Sequence, residues 1–263
     1  MKKLITLVFV LTLMVGCSSD SSNSDSSTSD SNSSSSGILI RKTIFSSETE
    51  GIQGTNEFIY QDRKLLKAMT SNGSYSKFTY TGDLITKEEY FQDPLNNEPT
   101  NTIVFDYSDN KLVQRKMYQG NVLKNKVDYF YESDNTVRIF YATYTGTETN
   151  TTISKKYYLN GEVIKSESIN PNGSINSTTL YYYDTKNSPS KNILGYNIAY
   201  ERGITGGVLH NLVKTVSSPL QTNDNGIIDY LYEYNSNGYP IKQTTTLRPD
   251  LDGPEMGTLQ FLY

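Results

Sequence analysis

The chain is poor in the residues that cross-link a fold or hold a metal ion. Its 263 residues include one cysteine, one histidine and no tryptophan. A single cysteine cannot form a disulfide bond within the chain, so the fold must depend on backbone pairing and apolar burial. Zinc sites usually need several His or Cys ligands. A Ser-His-Asp triad could be built only around His210, and the sequence has no nucleophile motif and no phosphate- or dinucleotide-binding glycine loop. These absences predict a protein that is not an enzyme and carries no cofactor.

Basic residues are fewer than acidic residues in this chain. The sequence has 24 Lys and Arg residues against 28 Asp and Glu residues, which gives a formal net charge of −4. Nucleic acids and anionic lipid surfaces are bound through basic patches. We therefore expect no nucleic-acid partner.

No apolar stretch is long enough for a transmembrane helix, which needs about 20 residues. The main apolar stretch, Leu4–Val15, follows Lys2 and Lys3 at the N-terminus. A positive start followed by a short apolar run is typical of a secretory signal peptide. An ordinary secretory signal would leave Cys17 as a lone thiol in an oxidising compartment.

The residues around this cysteine indicate that its thiol is modified rather than free. Residues 13–17, Leu-Met-Val-Gly-Cys, resemble the lipobox of bacterial lipoproteins, with methionine where leucine is usual. The resemblance implies that residues 1–16 are a removable signal peptide and that Cys17 is lipidated. Several acyl chains, at about 0.8 kcal/mol per buried methylene, would anchor the protein stably in a membrane. We expect a location at the bacterial outer membrane. The sequence does not decide between its periplasmic face and its cell-surface face.

A serine-rich segment separates the cysteine from the rest of the chain. Residues 18–36 are almost all Ser, Asp, Asn and Thr. Such a segment cannot offset its ordering entropy by apolar burial. We therefore expect residues 17–36 to form a disordered tether that spans about 25 Å. The folded domain would be residues 37–263, which is long enough for one core.

Tyrosine, in contrast, is abundant, with 22 residues. Tyrosines recur at intervals typical of repeat architectures, at the ends of short aromatic strands: Tyr60, Tyr80, Tyr107, Tyr131, Tyr158, Tyr183 and Tyr234. Polar turns such as Asn160-Gly161 follow, and then an apolar pair with a nearby cation, such as Leu65-Leu66-Lys67. Apolar and charged residues alternate within the strands, for example in Ile228–Tyr234. This pattern predicts antiparallel hairpins.

Two stretches resemble a known repeat family. Residues 181–184 (Tyr-Tyr-Tyr-Asp) and Tyr232–Pro240 resemble the YD repeat of the RHS class, and the chain is most similar to short YD-like lipoproteins of Bacteroidetes. Most units here lack the Tyr-Asp pair itself. The expected fold is all-β: an antiparallel β-meander of repeated hairpins, forming an extended curved sheet or a partly closed barrel. Leu259–Tyr263 would be its closing strand.

Residues 185–227 do not follow the repeat. We expect a short helix at Ile193–Ala199 with Ser190 as its cap, and one strand near Leu212–Val216. An irregular segment on a repetitive scaffold can carry the function. It can equally serve as a plug that covers an apolar face, and the sequence leaves both interpretations open.

Oxygen ligands cluster in one turn near the C-terminus. Asp250, Asp252 and Glu255 surround a glycine as the ligands of calcium loops do, although they fall far short of an EF-hand pattern. Residues 223–226 (Asn-Asp-Asn-Gly) resemble such a loop more weakly, and neither turn is enough to predict a metal site. The alternative is an ordinary Asp-Gly turn, which is common in β proteins.

Together these features predict a lipid-anchored envelope protein with a binding or scaffolding role. Tyrosine rings stack on glycans and anchor protein interfaces, so glycans and envelope proteins are the expected partners. The competing explanation is that the tyrosines only pack against each other across strands. The alternative function is a polysaccharide- or cell-wall-acting hydrolase, which would need two carboxylates about 5 to 10 Å apart in a cleft.

Overall fold

The computed structural model describes residues 37–47, 51–146, 148–218, 226–247 and 255–263. Cys17 and the serine-rich tether lie outside these ranges. The elements in chain order are β1 (Lys42–Ser47), β2 (Ile52–Gln61), β3 (Lys64–Thr70), β4 (Tyr75–Thr81), β5 (Leu84–Phe91), β6 (Asn101–Ser108), β7 (Lys111–Gln119), β8 (Val122–Tyr131), β9 (Thr136–Thr145), β10 (Glu148–Leu159), β11 (Glu162–Ile169), β12 (Ile175–Tyr183), α1 (Tyr196–Ala199), β13 (Leu212–Ser218), β14 (Ile227–Tyr234), β15 (Pro240–Leu247) and β16 (Glu255–Leu262). Among the described residues, no helix has the length and apolarity to cross a bilayer.

The strands form one closed barrel. Each strand pairs antiparallel with its neighbours in sequence, and β16 pairs with both β15 and β1. At the closure, Phe261 of β16 lies opposite Thr43 of β1. The predicted all-β meander is therefore confirmed, in its barrel form rather than as an open curved sheet. The closing role of the last strand is confirmed as well.

A β-bulge near the start of the second strand recurs in several strand pairs. Tyr60 lies opposite Leu65. The preceding residue Ile59 lies opposite Lys67, so Leu66 is an extra residue in its strand. Leu65 is 1% exposed and faces the interior, whereas Leu66 is 36% exposed. The same offset occurs in other strand pairs. Among the extra residues are Thr86 in β5, Val113 in β7, Ile164 in β11, Val213 in β13 and Ile241 in β15. Bulges bend and twist a strand, and a sheet must bend to close.

Tyrosine hydroxyl groups connect successive hairpins at one end of the barrel. The Tyr107 hydroxyl donates a 2.6 Å hydrogen bond to the carbonyl oxygen of Ile85, and that of Tyr131 donates one of 3.0 Å to Leu112. Equivalent bonds join Tyr183 to Val163, Tyr232 to Leu212 and Tyr263 to Pro240. In β14 the residue that makes this hydrogen bond is Tyr232. The spacing of the tyrosines in the sequence predicted Tyr234 as the equivalent residue. The repeated tyrosines thus serve the fold itself.

The inner side of the wall is apolar near this end. Its largest cluster of buried side chains comes from five neighbouring strands and from α1: Ile85, Phe105, Leu112, Val127, Tyr129, Val137, Ile139 and Ala199. Partly buried aromatic rings, including Tyr158 and Tyr196, pack around it. Burial of these groups supplies the main stabilisation in a chain without a disulfide bond.

The outer side of the wall carries many ion pairs, and exposed apolar side chains such as Phe130 and Leu231 lie among them. Ion pairs join neighbouring outward-facing residues of one strand, as in Lys126–Asp128, with the nitrogen and oxygen 2.7 Å apart. Others cross between strands, as in Lys116–Asp106 at 2.9 Å. Further outward-facing pairs are Lys42–Glu57, Lys87–Glu89, Lys165–Glu167, Lys214–Asp229 and Lys242–Glu233. On these strands the ion-paired side chains lie on the outer face of the wall.

Residues 184–211, which we call the insertion, occupy the interior at one end of the barrel. The Tyr200 hydroxyl donates a 2.6 Å hydrogen bond to Glu88 of β5. Two residues later, the Arg202 guanidinium donates one of 2.7 Å to the Tyr181 hydroxyl of β12. Because β5 and β12 lie on opposite parts of the closed wall, a segment that reaches both crosses the end of the barrel, and Ala199 of α1 is buried in the core cluster. This position matches the plug interpretation of the irregular segment.

The insertion differs from its predicted structure at the helix. The helix is shorter than expected, and Gly195 precedes it with a left-handed φ of 70° and no side-chain cap. A Cβ atom at Gly195 would collide with the carbonyl oxygen of Asp83. Ser190, the predicted cap, instead accepts a 2.7 Å hydrogen bond from the backbone N–H of Ile204. The predicted strand near Leu212 is confirmed as β13.

Candidate functional site

A carboxylate–amide pair holds the two ends of the insertion together. The backbone and side-chain N–H groups of Asn211 donate hydrogen bonds of 3.1 Å to the two carboxylate oxygens of Asp184. Asn211 is fully buried. The Tyr234 hydroxyl also contacts Asp184, which ties the pair to β14. Hydrogen bonds to a charged acceptor are the stronger ones, so this group closes the insertion into a fixed loop.

A second carboxylate, Glu162, holds the later part of the insertion. It accepts hydrogen bonds from three successive backbone N–H groups: Val208 at 3.3 Å, and Leu209 and His210 at 2.8 Å each. Glu162 is 5% exposed. The His210 ring nitrogen Nδ1 lies 3.8 Å from the same carboxylate. The histidine thus lies beside a group engaged in positioning the backbone, and it joins no triad.

Charged side chains also face the interior next to the helix. Lys156 of β10 forms an ion pair with Glu201 of the insertion. Burial, followed by the charges of Arg202 and Arg115, lowers the pKa of Lys156 to about 7. The Glu201 carboxylate in contact with it acts in the opposite direction and favours the ammonium form. This pair fastens the insertion to the wall after the helix.

Glu88 lies deeper in the barrel. It accepts hydrogen bonds from the hydroxyl groups of Ser76, at 2.8 Å, and Tyr200, at 2.6 Å. Burial, and after it the charge of Glu88, raises the pKa of the Tyr200 phenol well above its usual value. A cavity of about 50 Å³ adjoins these groups. Its size and its satisfied polar groups fit an internal packing defect rather than a ligand site.

A concave site lies where the insertion meets three hairpin turns. It is a cleft of about 510 Å³. Its wall includes the rings of Tyr129, Tyr131 and Tyr158, and its rim includes Asn110, Asn135 and Asn160. The three asparagines occupy equivalent turns, between β6 and β7, β8 and β9, and β10 and β11, and each has a left-handed φ, between 51° and 60°. Ligand sites typically have volumes of about 300–1,000 Å³, so this cleft is the candidate functional site.

The carboxylates of the cleft are Glu132 and Glu201, and both are paired with cations. Glu132 lies 2.6 Å from Arg138 and 2.7 Å from Lys155. Hydrogen bonds from Lys155 and then Thr136 hold the pKa of Glu132 below its usual value. The general acid of a glycosidase needs a raised pKa instead. Glu132 therefore lacks the raised pKa that the acid of the hydrolase alternative would need.

Two of the repeat tyrosines named from the sequence, Tyr131 and Tyr158, line the cleft. Cys17, Asp250 and Asp252 fall outside the described residues, and Glu255 begins β16 without a described side chain. The described part of the chain holds no group of three or more His, Cys, Asp or Glu residues suited to a metal ion. The asparagine rim was missed, although a polar residue with turn chemistry follows each repeat tyrosine and was visible in the sequence.

Comparison with known proteins supports the architecture. No protein-family profile and no curated protein matches the chain. Among solved structures, a porin-like protein from Bacteroides vulgatus aligns with a TM-score of 0.57 and 11% identity, over 86% of this chain and 99% of that one. A porin-like protein from Bacteroides uniformis aligns with a TM-score of 0.38 and 12% identity, over 85% and 97% of the two chains. The first similarity shows that the chain has the barrel fold of a porin-like protein.

Proposed function

We propose that this chain is a lipid-anchored envelope protein whose barrel lies in water beside the bacterial outer membrane and acts as a binding or scaffolding module. Cys17 would carry the lipid, and residues 18–36 would link it to the barrel. The resemblance of the repeats to those of YD-like lipoproteins of Bacteroidetes supports the same proposal. Glycans or other envelope proteins are the proposed partners.

The charged outer wall is the observation that carries the proposal. Lys126–Asp128 lies near the middle of β8, and Lys165–Glu167 near the middle of β11. A barrel that crosses a bilayer presents an apolar band about 25 Å high, and a Lys or Arg at its midplane costs about 2–4 kcal/mol. Ion pairs that recur around the wall are better suited to water than to lipid, so attachment to the membrane would depend on the lipid.

The filled end of the barrel supports binding rather than free passage of solutes. The Asp184–Asn211 pair and Glu162 fasten the insertion at separate points. A solute that moved along the barrel axis would have to displace this buried segment. A barrel closed in this way presents a fixed surface with a cleft, as a binding module requires.

Cell fractionation tests the anchor and the wall together. The full chain would be compared with a variant in which residues 1–17 are replaced by a cleavable secretory signal without cysteine. We expect the full chain to stay with membranes after salt and carbonate washes, and the variant to be soluble with the circular dichroism of a β protein. Incorporation of labelled fatty acid, lost in Cys17→Ser, would identify the lipidated residue.

A folded barrel that still sediments with washed membranes in the absence of Cys17 would overturn the proposal, because the wall itself would then hold the bilayer. The face of the membrane is tested with protease added to intact and to lysed cells. Digestion in intact cells indicates the cell surface and extracellular partners. Digestion only after lysis indicates the periplasm, where peptidoglycan and envelope proteins are the available partners.

A further inference from the structure

We infer that the cleft bounded by Asn110, Asn135 and Asn160 binds a neutral saccharide. The inference deepens the proposed binding role and rests on it. It names the site and the chemical class of the ligand, and it follows from three properties of the cleft: free amide groups, an accessible tyrosine ring and charges that are already engaged.

The amide groups of the rim are available to a ligand. Asn110, Asn135 and Asn160 are exposed, and their side chains make no hydrogen bond within the described part of the chain. Each amide offers donors on nitrogen and an acceptor on oxygen. A sugar hydroxyl is likewise both donor and acceptor, so each asparagine can pair with it in either sense. The left-handed backbone of all three turns holds these groups around one opening.

Aromatic rings supply the apolar half of the site. Tyr131 is 45% exposed, and its hydroxyl is fixed by the 3.0 Å bond to Leu112, so the ring orientation is set. Tyr158 lines the same cleft. The C–H face of a pyranose ring is apolar and packs well on an aromatic side chain whose edge stays polar. A saccharide has both features that the cleft can bind: hydroxyl groups for the amides of the rim and an apolar ring face for the tyrosine of the wall.

The charges of the cleft favour a neutral ligand. Glu132 and Glu201 are paired with cations of the wall. Lys111, at the rim, lies over the Tyr131 ring with its nitrogen 5.1 Å from the ring centre. An acidic or basic ligand would have to compete with the ion pairs of Glu132 and Glu201, whereas a neutral one would leave those pairs intact. A volume of about 510 Å³ is suited to a short oligosaccharide rather than to a long polymer.

The test measures binding of defined oligosaccharides to the full chain in detergent by calorimetry. The probes are cellotetraose, maltotetraose, xylotetraose and chitotetraose as neutral sugars, tetragalacturonate as an acidic sugar, and a neutral tetrapeptide. We expect one neutral sugar to bind, and the variant Asn110→Gly/Asn135→Gly/Asn160→Gly to bind it at least about tenfold more weakly. Loss of several neutral hydrogen bonds gives a change of that order.

Glycine is the substitution of choice because it keeps the left-handed turns and removes only the amides. The matched control is Asp62→Gly, at a turn between β2 and β3 with a φ of 54° that does not line the cleft. It should bind the sugar as the wild type does. Thermal unfolding of each variant checks the fold, and Asn160→Gly alone carries the test if the triple variant is unstable.

Three results would overturn the inference. They are binding of none of the neutral sugars, tighter binding of tetragalacturonate or the peptide, and unchanged sugar affinity in a folded triple variant. None of them would affect the proposed envelope anchor, which depends on fractionation. Conversely, a barrel found inserted in the bilayer would refute the anchor proposal whether or not the sugar binds.

Discussion

The hydroxyl group of Tyr183 donates a 2.8 Å hydrogen bond to the carbonyl oxygen of Val163, 20 residues earlier in the chain. Tyr183 ends β12 and Val163 lies at the start of β11, so the bond joins neighbouring strands at the plugged end. Similar bonds recur around the barrel. They give the tyrosine repeat a structural explanation that requires no ligand.

Tyr183→Phe should lower the free energy of unfolding by about 1 kcal/mol, and by up to about 3 kcal/mol if the Val163 carbonyl is left without a partner. The adjacent Tyr182→Phe is the matched control, because Tyr182 is 46% exposed on the outer face. Urea unfolding followed by tyrosine fluorescence would measure both. Equal losses in the two variants would contradict the structural role of the inner hydroxyl.

Glu162→Gln should loosen the insertion. The substitution keeps the shape of the side chain but removes the charge that three backbone N–H groups share. Hydrogen bonds to charged groups contribute about 1.5–3 kcal/mol, so we expect a loss of that order and faster proteolysis within residues 184–211. Asp83→Asn, where the side chain is 75% exposed in a turn, is the control and should change neither. Unchanged proteolysis of Glu162→Gln would show that the carboxylate does not hold the segment.

The outer ion pairs should make stability sensitive to acid. Burial alone would raise the pKa of Glu167, but hydrogen bonds from Lys165 and Tyr157 bring it below its ordinary value of 4.5. For Asp128, burial is likewise outweighed by the bonds from Lys126 and Gln114, and the pKa lies below 3.8. The unfolded chain therefore binds protons first as the pH falls. The stabilisation is complete above about pH 4.5 and is lost progressively below it.

Thermal unfolding between pH 6 and 2.5 would measure this loss. Asp128→Asn/Glu167→Gln should be less stable than the wild type at pH 6, and the difference should shrink as the pH falls below about 4. Glu98→Gln, at an exposed position between β5 and β6, should keep a constant difference from the wild type. A pH-independent difference for the double variant would show that these carboxylates gain nothing from their partners.

The closing strand should be essential for a soluble barrel. Phe261 is 2% exposed, so Phe261→Ala should cost about 3–5 kcal/mol, whereas Leu262→Ala, at a residue 48% exposed, should cost much less. Deletion of residues 259–263 would remove the partner of both β1 and β15 and leave open strand edges. Such edges pair with other chains, and light scattering should detect aggregation. A truncated chain as monodisperse as the full one would contradict the closure.

Several elements were predictable because their causes are local. Turn chemistry at Asn160-Gly161 and alternation in Ile228–Tyr234 depend on residues a few positions apart, and both predict hairpins correctly. Alternation failed at the bulges. A strict two-residue period would put Val163 and Lys165 on one face of the wall, but the extra residue Ile164 places Val163 inside and Lys165 outside. A bulge depends on how a strand pairs with its neighbour. The residues of one strand alone do not show that pairing.

The sequence by itself determined a disulfide-free meander of tyrosine-ended hairpins with one irregular segment, because propensity, turn residues and alternation act over short distances. The tertiary structure decided whether the sheet closed, since closure depends on the twist and stagger summed over every strand pair. It also decided that the insertion runs inside the wall, held by contacts such as Asp184–Asn211. The cleft forms where three turns that are distant in the sequence lie next to the insertion. No local pattern in the sequence predicts that these segments are close together.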